Sequence, residues 1–556
     1  MIREWSIRLT ASILIWIAGC LPTLGQAIWF GPPSPNPHSH GAADWRDLLH
    51  QSAAWSELAD HIQVFEVTAG YVMSASDNEL RSMGADLARN HIGLTIGLQS
   101  IAQINGEVCG HQEGYGSPMD SIRTASRLAQ LGIPLNSVGL DEPLWFGHYD
   151  PDPQACQLPV TEIARRVALN VREYQKYFPK LDVYTIEPSP GPSSRPDWSQ
   201  NFRLLMGSLA AQIGKSVSSL LVDVNWRLPQ YAESVHSLAA FARGEGLKFG
   251  VIYNGDGLDT TDAAWTADAR LHIDELESGH GVSPDIASIQ TWDAHPIRAL
   301  PVDSDVTLGS LVQYYIRPQT RFVEIRSSAG IQGRLVNSSN EPIEGARINL
   351  QALGVGPSQK PTVQIVEGLV PANARFAIIG LRVNSECNCA GSNDLFIGPI
   401  SYRENNASVG QIVTVPRSPP KSPGQPTVNR VIAEDSAITH LVVPPDRQFG
   451  FNSSIFNVDP GARFSFSVPL GAAGSGGLFG TVTLIWLDAE RHGLFRTDLV
   501  MRQDIGKAQT VVTDVNGRFQ FPHQSTTSAG HRVERLEFNG DVRYRGAISY
   551  IGPLVK

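Results

Sequence analysis

Between residues 27 and 316 the hydrophobic pattern repeats one unit: a short apolar run, a polar or aromatic stretch, then a run with apolar residues at helical spacing. The apolar runs are Ile28–Phe30, Ile62–Val67, Gly93–Gln99, Asn136–Asp141, Leu181–Glu187, Leu220–Asn225, Lys248–Asn254 and Ile286–Trp292, which we read as strands. The intervening helical stripes include Trp45, Leu48, Leu49, Trp55 and Leu58, and later Ile163, Val167, Val171 and Tyr174, in a stretch ended by Pro179. Such alternation predicts a parallel sheet with helices outside it, because parallel strands need a crossover connection. Eight units in under 300 residues match the count and size of a (β/α)8 barrel.

Strand parity adds direction. In a barrel one parity faces the helices and the other the interior. Leu94, Ile96 and Leu98 are apolar, while Gly93, Thr95, Gly97 and Gln99 are small or polar; Val222 and Val224 alternate with Asp223 and Asn225. The same split groups Glu66 with Thr68, Asn254 with Gly250, and Gln290 with Ser288. The polar parity is expected inward, with its polar members at the carboxyl ends of the strands, where barrel enzymes place their chemistry. An unpaired buried polar group costs about 1–3 kcal/mol, so these side chains should line a wet pocket or bond one another.

The fourth strand carries the sharpest signal. Its apolar run stops on Asp141, Glu142 and Pro143, followed at once by Trp145, Phe146, His148 and Tyr149. A further acid, Glu187, lies on the fifth strand in Tyr184-Thr-Ile-Glu-Pro-Ser-Pro190. Neighbouring strands are about 4.8 Å apart, so carboxyls at strand ends can reach the ~5–9 Å separations of glycoside hydrolysis. Parity turns Asp141 and Glu187 inward and Glu142 outward, with a bulge beside Pro143 as the device that would re-aim Glu142.

Asp141-Glu142-Pro143 at a fourth strand is similar to the Asn-Glu-Pro of the large clan of TIM-barrel glycoside hydrolases, in which that glutamate is the general acid/base. The resemblance implies a carbohydrate substrate, no cofactor, and Glu142 as the proton donor. The chain departs from the pattern in two places. Asp141 replaces the asparagine, and Tyr253-Asn254-Gly255-Asp256 stands where the clan's nucleophilic glutamate would be. The expected partner of Glu142 is therefore Glu187 or Asp141, with Asp256 behind them. Substrate contacts are expected from Glu66, Gln99, Asp223, Asn225, Asn254, Asp256 and Gln290, and from the aromatics Trp145, Trp226, Tyr253 and Trp292. A non-catalytic carbohydrate-binding or cell-surface protein is the competing reading, since the seventh-strand acid is missing. A metal-dependent hydrolase is the minor one: His38-Ser-His40 resembles the H-x-H of barrel amidohydrolases, but the fifth and sixth strands end in Glu187 and Asn225 rather than histidine.

Beyond residue 316 the pattern changes to short alternating strands with many turn residues, the signature of β-sandwich modules. We expect one β domain over 319–415, a Pro-rich connector over 416–428, and a second β domain over 429–556, after a barrel domain over 28–318. Ile331–Ala346 resembles the opening of carboxypeptidase-regulatory-like folds, and Thr513–Phe521 is similar to a later strand of that module type.

The first 27 residues resemble an export signal: Arg3 and Arg8, an apolar run from Leu9 to Gly19, then Pro22. Cleavage after Gly25-Gln26-Ala27 and a lipoprotein-type cleavage before Cys20 both fit, and both place the mature protein outside the cytoplasm, without a transmembrane span. In that compartment Cys109 and Cys156, in loops after consecutive strands, form a candidate disulfide. A net charge of -10 with no basic cluster argues against nucleic acid as a partner.

Overall fold

The computed structural model describes residues 26–551, apart from 37–40, 50–52, 105–112, 151–154, 227–230, 327–329, 354–361, 386–392, 412–426, 522–532 and shorter stretches. The export segment, His38, His40, Cys109 and the Pro-rich residues 416–426 lie outside the described residues.

Eight strands form the closed barrel: β1 (Ala27–Gly31), β2 (Val64–Thr68), β3 (Gly93–Leu98), β4 (Ser137–Leu140), β5 (Asp182–Ser189), β6 (Ser219–Val224), β7 (Lys248–Tyr253) and β8 (Ile286–Gln290). Each pairs with its sequence neighbours, and β8 pairs with β1 in parallel to close the ring. Helices pack outside it. The helix Val160–Gln175, for example, buries Ile163, Val167, Val171 and Tyr174, the stripe its sequence carries.

The ring is plugged by Trp29, Tyr184, Ile186, Leu221, Ile252 and Ile286. Trp29 meets Tyr184 edge to face at 4.8 Å. Tyr184 fits because β4 offers Gly139 opposite it: a Cβ there would sit 2.5 Å from the tyrosine ring.

Polar parity points inward on most strands, as expected, but not on β5. There the bulky Tyr184 and Ile186 take the interior and Glu187 faces the helices. Register accounts for this. Gly139 pairs with Tyr184 and Leu140 with Thr185, so Ile186 stands beside Asp141, and Glu187 follows the opposite parity.

The β-rich tail is built differently from the expected pair of consecutive domains. Gln332–Asn337 pairs with Arg518–Gln520, and Arg347–Leu353 pairs with both Asp504–Val512 and Val533–Phe538. Leu335, Ile348, Phe519, Phe521 and Leu536 share one core, so the segments on either side of the Pro-rich stretch complete a single unit. The strands from Thr362 to Met501 form two other antiparallel sheets, with Tyr402, Phe464 and Trp486 packed together between them. Periodicity marks the buried face of a strand but not its partner.

This tail is clamped onto the side of the barrel. Arg545, 2% exposed, donates to Glu277 at 2.9 Å and stacks on Tyr315 at 4.7 Å. Glu277 also accepts from the hydroxyls of Tyr253 and Tyr315, at 2.7 and 2.8 Å. Tyr314 donates to Asp274 and accepts from the Gly546 amide at 2.7 Å.

Candidate active site

At the carboxyl ends of the barrel strands lies a cleft of about 1640 Å³. Of the residues singled out from sequence, Glu66, Gln99, Asp141, Glu142, Asp223, Asn225, Trp226, Asn254, Asp256, Gln290 and Trp292 line it. Glu187, Trp145 and Tyr253 do not. Tyr253 points to Glu277 and the tail clamp, and the Trp145 ring lies 6.0 Å from the Arg195 guanidinium.

Small residues make room for the acids. Glu66 comes within 3.4 Å of where a Cβ on Gly97 would stand, and Gly31 leaves space for both Gln290 and Glu66. Glu142 reaches the cleft through its backbone rather than a strand bulge. It holds a left-handed conformation, φ 41°, between Asp141 and Pro143. That turn reverses the parity of β4 and swings the carboxyl of a nominally outward position to the mouth.

Glu187 holds this turn in place. Its carboxyl, fully buried, accepts from the amides of Leu144 at 2.9 Å and Trp145 at 3.1 Å, the first residues of the helical turn after Pro143. Both oxygens are thereby engaged on the far side of the backbone from the cleft. The expectation that Glu187 is the partner acid is corrected: it is a positioning residue, and burial pushes its carboxyl up to about 8 despite the two amides.

The electrostatics of the mouth are those of crowded, half-dry carboxyls. Burial, then the charges of Asp223, Asp141, Glu187 and Glu113, push Glu142 up to about 10. Burial followed by Glu113 and Asp223 raises Asp141 to about 7; burial followed by Glu113 and Asp293 raises Asp223 to about 7. Glu66 rises to about 7 through burial and Asp141. A neutral carboxylic acid beside carboxyls that ionise near neutrality is the pairing that acid–base chemistry requires.

The aromatic side divides by geometry. Trp226 donates to the Asn254 side chain at 2.7 Å and stacks on His272 at 4.5 Å, while His272 bonds the Asn254 carbonyl at 2.8 Å. Trp226 also stacks on Tyr253 at 6.0 Å, so it is packed among rings and holds Asn254 in place. Trp292, 57% exposed at the rim, keeps an open ring.

Two lining acids escaped the sequence reading of the site, Glu113 and Asp120, the latter in the first turn of the helix Pro118–Gln130. Glu113 arrives on the loop after β3, folded back by the short parallel pair Ile101–Ala102 and Tyr115–Gly116, where no periodicity marks it. Asp293, three residues past the end of β8, accepts from the Trp265 indole at 3.1 Å. Cys156 is disulfide-bonded. Among the described residues, no group of three or more His, Cys, Asp or Glu is arranged to hold a metal ion.

No family model and no curated protein matches the sequence. Solved structures do. The chain is similar to a fungal β-1,4-galactanase at 10% identity, over 48% of this chain and 88% of that one, with a TM-score of 0.29. It is similar to the GH53 catalytic domain of Ignisphaera aggregans at 13% identity, over 49% and 81%, TM-score 0.29. The xylanase XynB from Paenibacillus barcinonensis aligns at 10% identity, over 50% and 89%, TM-score 0.32. The strand pairing by itself makes the N-terminal part of the chain a closed (β/α)8 TIM barrel, followed by antiparallel β sheets.

Proposed function

We propose that the barrel mouth hydrolyses glycosidic bonds of a polysaccharide or oligosaccharide, with Glu142 as the proton donor and Asp223 as the partner carboxyl. The observation that carries this is Glu142 itself: a carboxyl 9% exposed, facing a large open cleft and pushed up to about 10 beside Asp223 and Asp141. Protonated at neutral pH, it can give its proton to the leaving oxygen. Asp223 is its strongest charged neighbour, ionises near 7 and lines the same cleft. As a carboxylate it serves as base toward water or as nucleophile toward the anomeric carbon. Asp141 stands next to Glu142 and is the second choice for that role. Trp292 offers an open ring on which a sugar face can stack. The Arg3, Arg8 and Leu9–Gly19 pattern supports export, which suits a polymer substrate outside the cell.

The test is a panel of soluble polysaccharides, assayed for new reducing ends with the parent, Glu142→Gln and Asp223→Asn. Cleavage by the parent that both variants abolish, with binding retained, supports the reading. A parent that binds glycans and cleaves none would make the barrel a binding module instead.

A further inference from the structure

The acids of the cleft are compensated unlike any other buried acid described in the chain. Asp44, 2% exposed, accepts from the amides of Ala299 and Leu300 at 2.9 and 2.7 Å. Asp86 pairs with Arg89, Glu277 with Arg545, and Glu187 takes two amides. Buried charge in this protein is otherwise met by an arginine or by backbone N–H groups, as desolvation demands.

The cleft departs from that habit. Glu66, Glu113, Asp141, Glu142 and Asp223 line it together, and the only cation among its described lining residues is Arg123, which sits 3.9 Å from Asp120. Among the described residues, every charged neighbour acting on Glu66, Asp141, Glu142 and Asp223 is another carboxyl. The Glu142 side chain, nine-tenths buried and aimed into the cleft, makes no hydrogen bond among the described residues. Among the described residues, no cluster there has metal-holding geometry. A cationic ligand would supply the counter-charge that the described lining residues lack. A sugar hydroxyl can donate a hydrogen bond to a carboxylate but leaves the mutual repulsion standing; an ammonium group does both jobs.

Resting on the reading of this cleft as a glycan site, we propose that its substrate is a cationic glycan, a polymer of amino sugars with free amines, whose ammonium groups seat against Glu66, Glu113, Asp141 and Asp223. Acids arriving from β2, β4, β6 and the loops after β3, β7 and β8 surround the mouth, so successive charged sugars each meet a carboxylate.

The experiment uses the full chain and two matched polymer pairs: polyglucosamine and polygalactosamine, each as the free amine and after N-acetylation. Affinity and reducing-end release are measured at low and high salt. The free-amine form of at least one pair should bind about tenfold or more tighter than its N-acetylated form, a gap that narrows as salt rises from about 0.05 to 0.5 M. The double variant Glu66→Gln/Glu113→Gln, which spares the proposed proton donor and its partner, should shrink the gap severalfold while its circular dichroism stays that of the parent. A gap unchanged in that variant would assign the attraction to the general acidity of the surface and overturn the proposal. Equal or tighter binding of the N-acetylated polymers, with cleavage, overturns it too and leaves glycoside hydrolysis standing. Tight, variant-sensitive binding of the amine form without cleavage supports the cationic ligand and counts against hydrolysis. Failure to bind any of the four polymers overturns it.

Discussion

Glu142 occupies a backbone conformation, φ 41°, that costs a non-glycine residue about 1–3 kcal/mol. The strain comes with a carboxyl placed where neither parity of β4 could put it. Glu142→Gly should therefore raise the melting temperature while abolishing cleavage, a trade measurable in one thermal scan and one assay. Glu142→Gln should lower kcat by about 10²–10⁴-fold, with less loss on substrates whose leaving group needs no proton. The pH profile follows from two carboxyls. On the proposed reading, activity should rise as Asp223 loses its proton near 7 and fall only as Glu142 loses its own near 10. Asp223→Asn should remove the acid limb along with most of the rate; a profile that peaks near pH 5 would contradict both assignments.

At the scale of the element, β5 and the turn after β4 act as a pair. Tyr184 fills the ring because Gly139 is bare, and Glu187 ties down Leu144 and Trp145. Glu187→Ala leaves two buried amides without a partner, which should cost about 1–3 kcal/mol each. Because it also frees the Glu142 turn, kcat should fall further than KM changes, a split that a purely structural residue would not show. On the opposite side, Arg545→Leu strips the counter-charge from Glu277 and Asp274 at the tail clamp and should destabilise by about 3–5 kcal/mol in denaturant unfolding. Arg545→Lys keeps the charge but loses the planar stack on Tyr315, and should fall between the two.

The whole molecule inherits a pH dependence from the mouth. Asp141 and Asp223 rise from 3.8 to about 7, and Glu66 from 4.5 to about 7, so each binds its proton more tightly folded than unfolded. Their contribution is complete below pH 3.8 and is lost as pH climbs through 7. Glu162 runs the other way: held down at about 2, chiefly by its hydrogen bond to Arg165, it adds stability above 4.5 that disappears in acid. The melting temperature should thus be higher near pH 5 than near pH 8. Glu66→Gln/Asp141→Asn/Asp223→Asn should reduce that slope, the rest coming from Glu142, Glu187 and Asp274, which are also raised, and a parent whose melting temperature climbs toward pH 8 would refute the link.

Much of this architecture is written locally. Alternating apolar runs and helical stripes specify strands and helices through side-chain burial alone, and eight of them in order leave a closed parallel ring as the natural solution. For the same reason the inward placement of Glu66, Asp223, Asn254 and Gln290 was legible, since alternation is a property of one strand. What alternation cannot carry is the relation between strands. Register against Gly139 turned Glu187 outward, a left-handed φ turned Glu142 inward, a folded-back loop brought Glu113 to the mouth, and residues beyond 503 completed sheets begun before 354. Each of these is settled by contacts between residues far apart in the chain, where volume and pairing, rather than the preference of any single segment, choose the outcome.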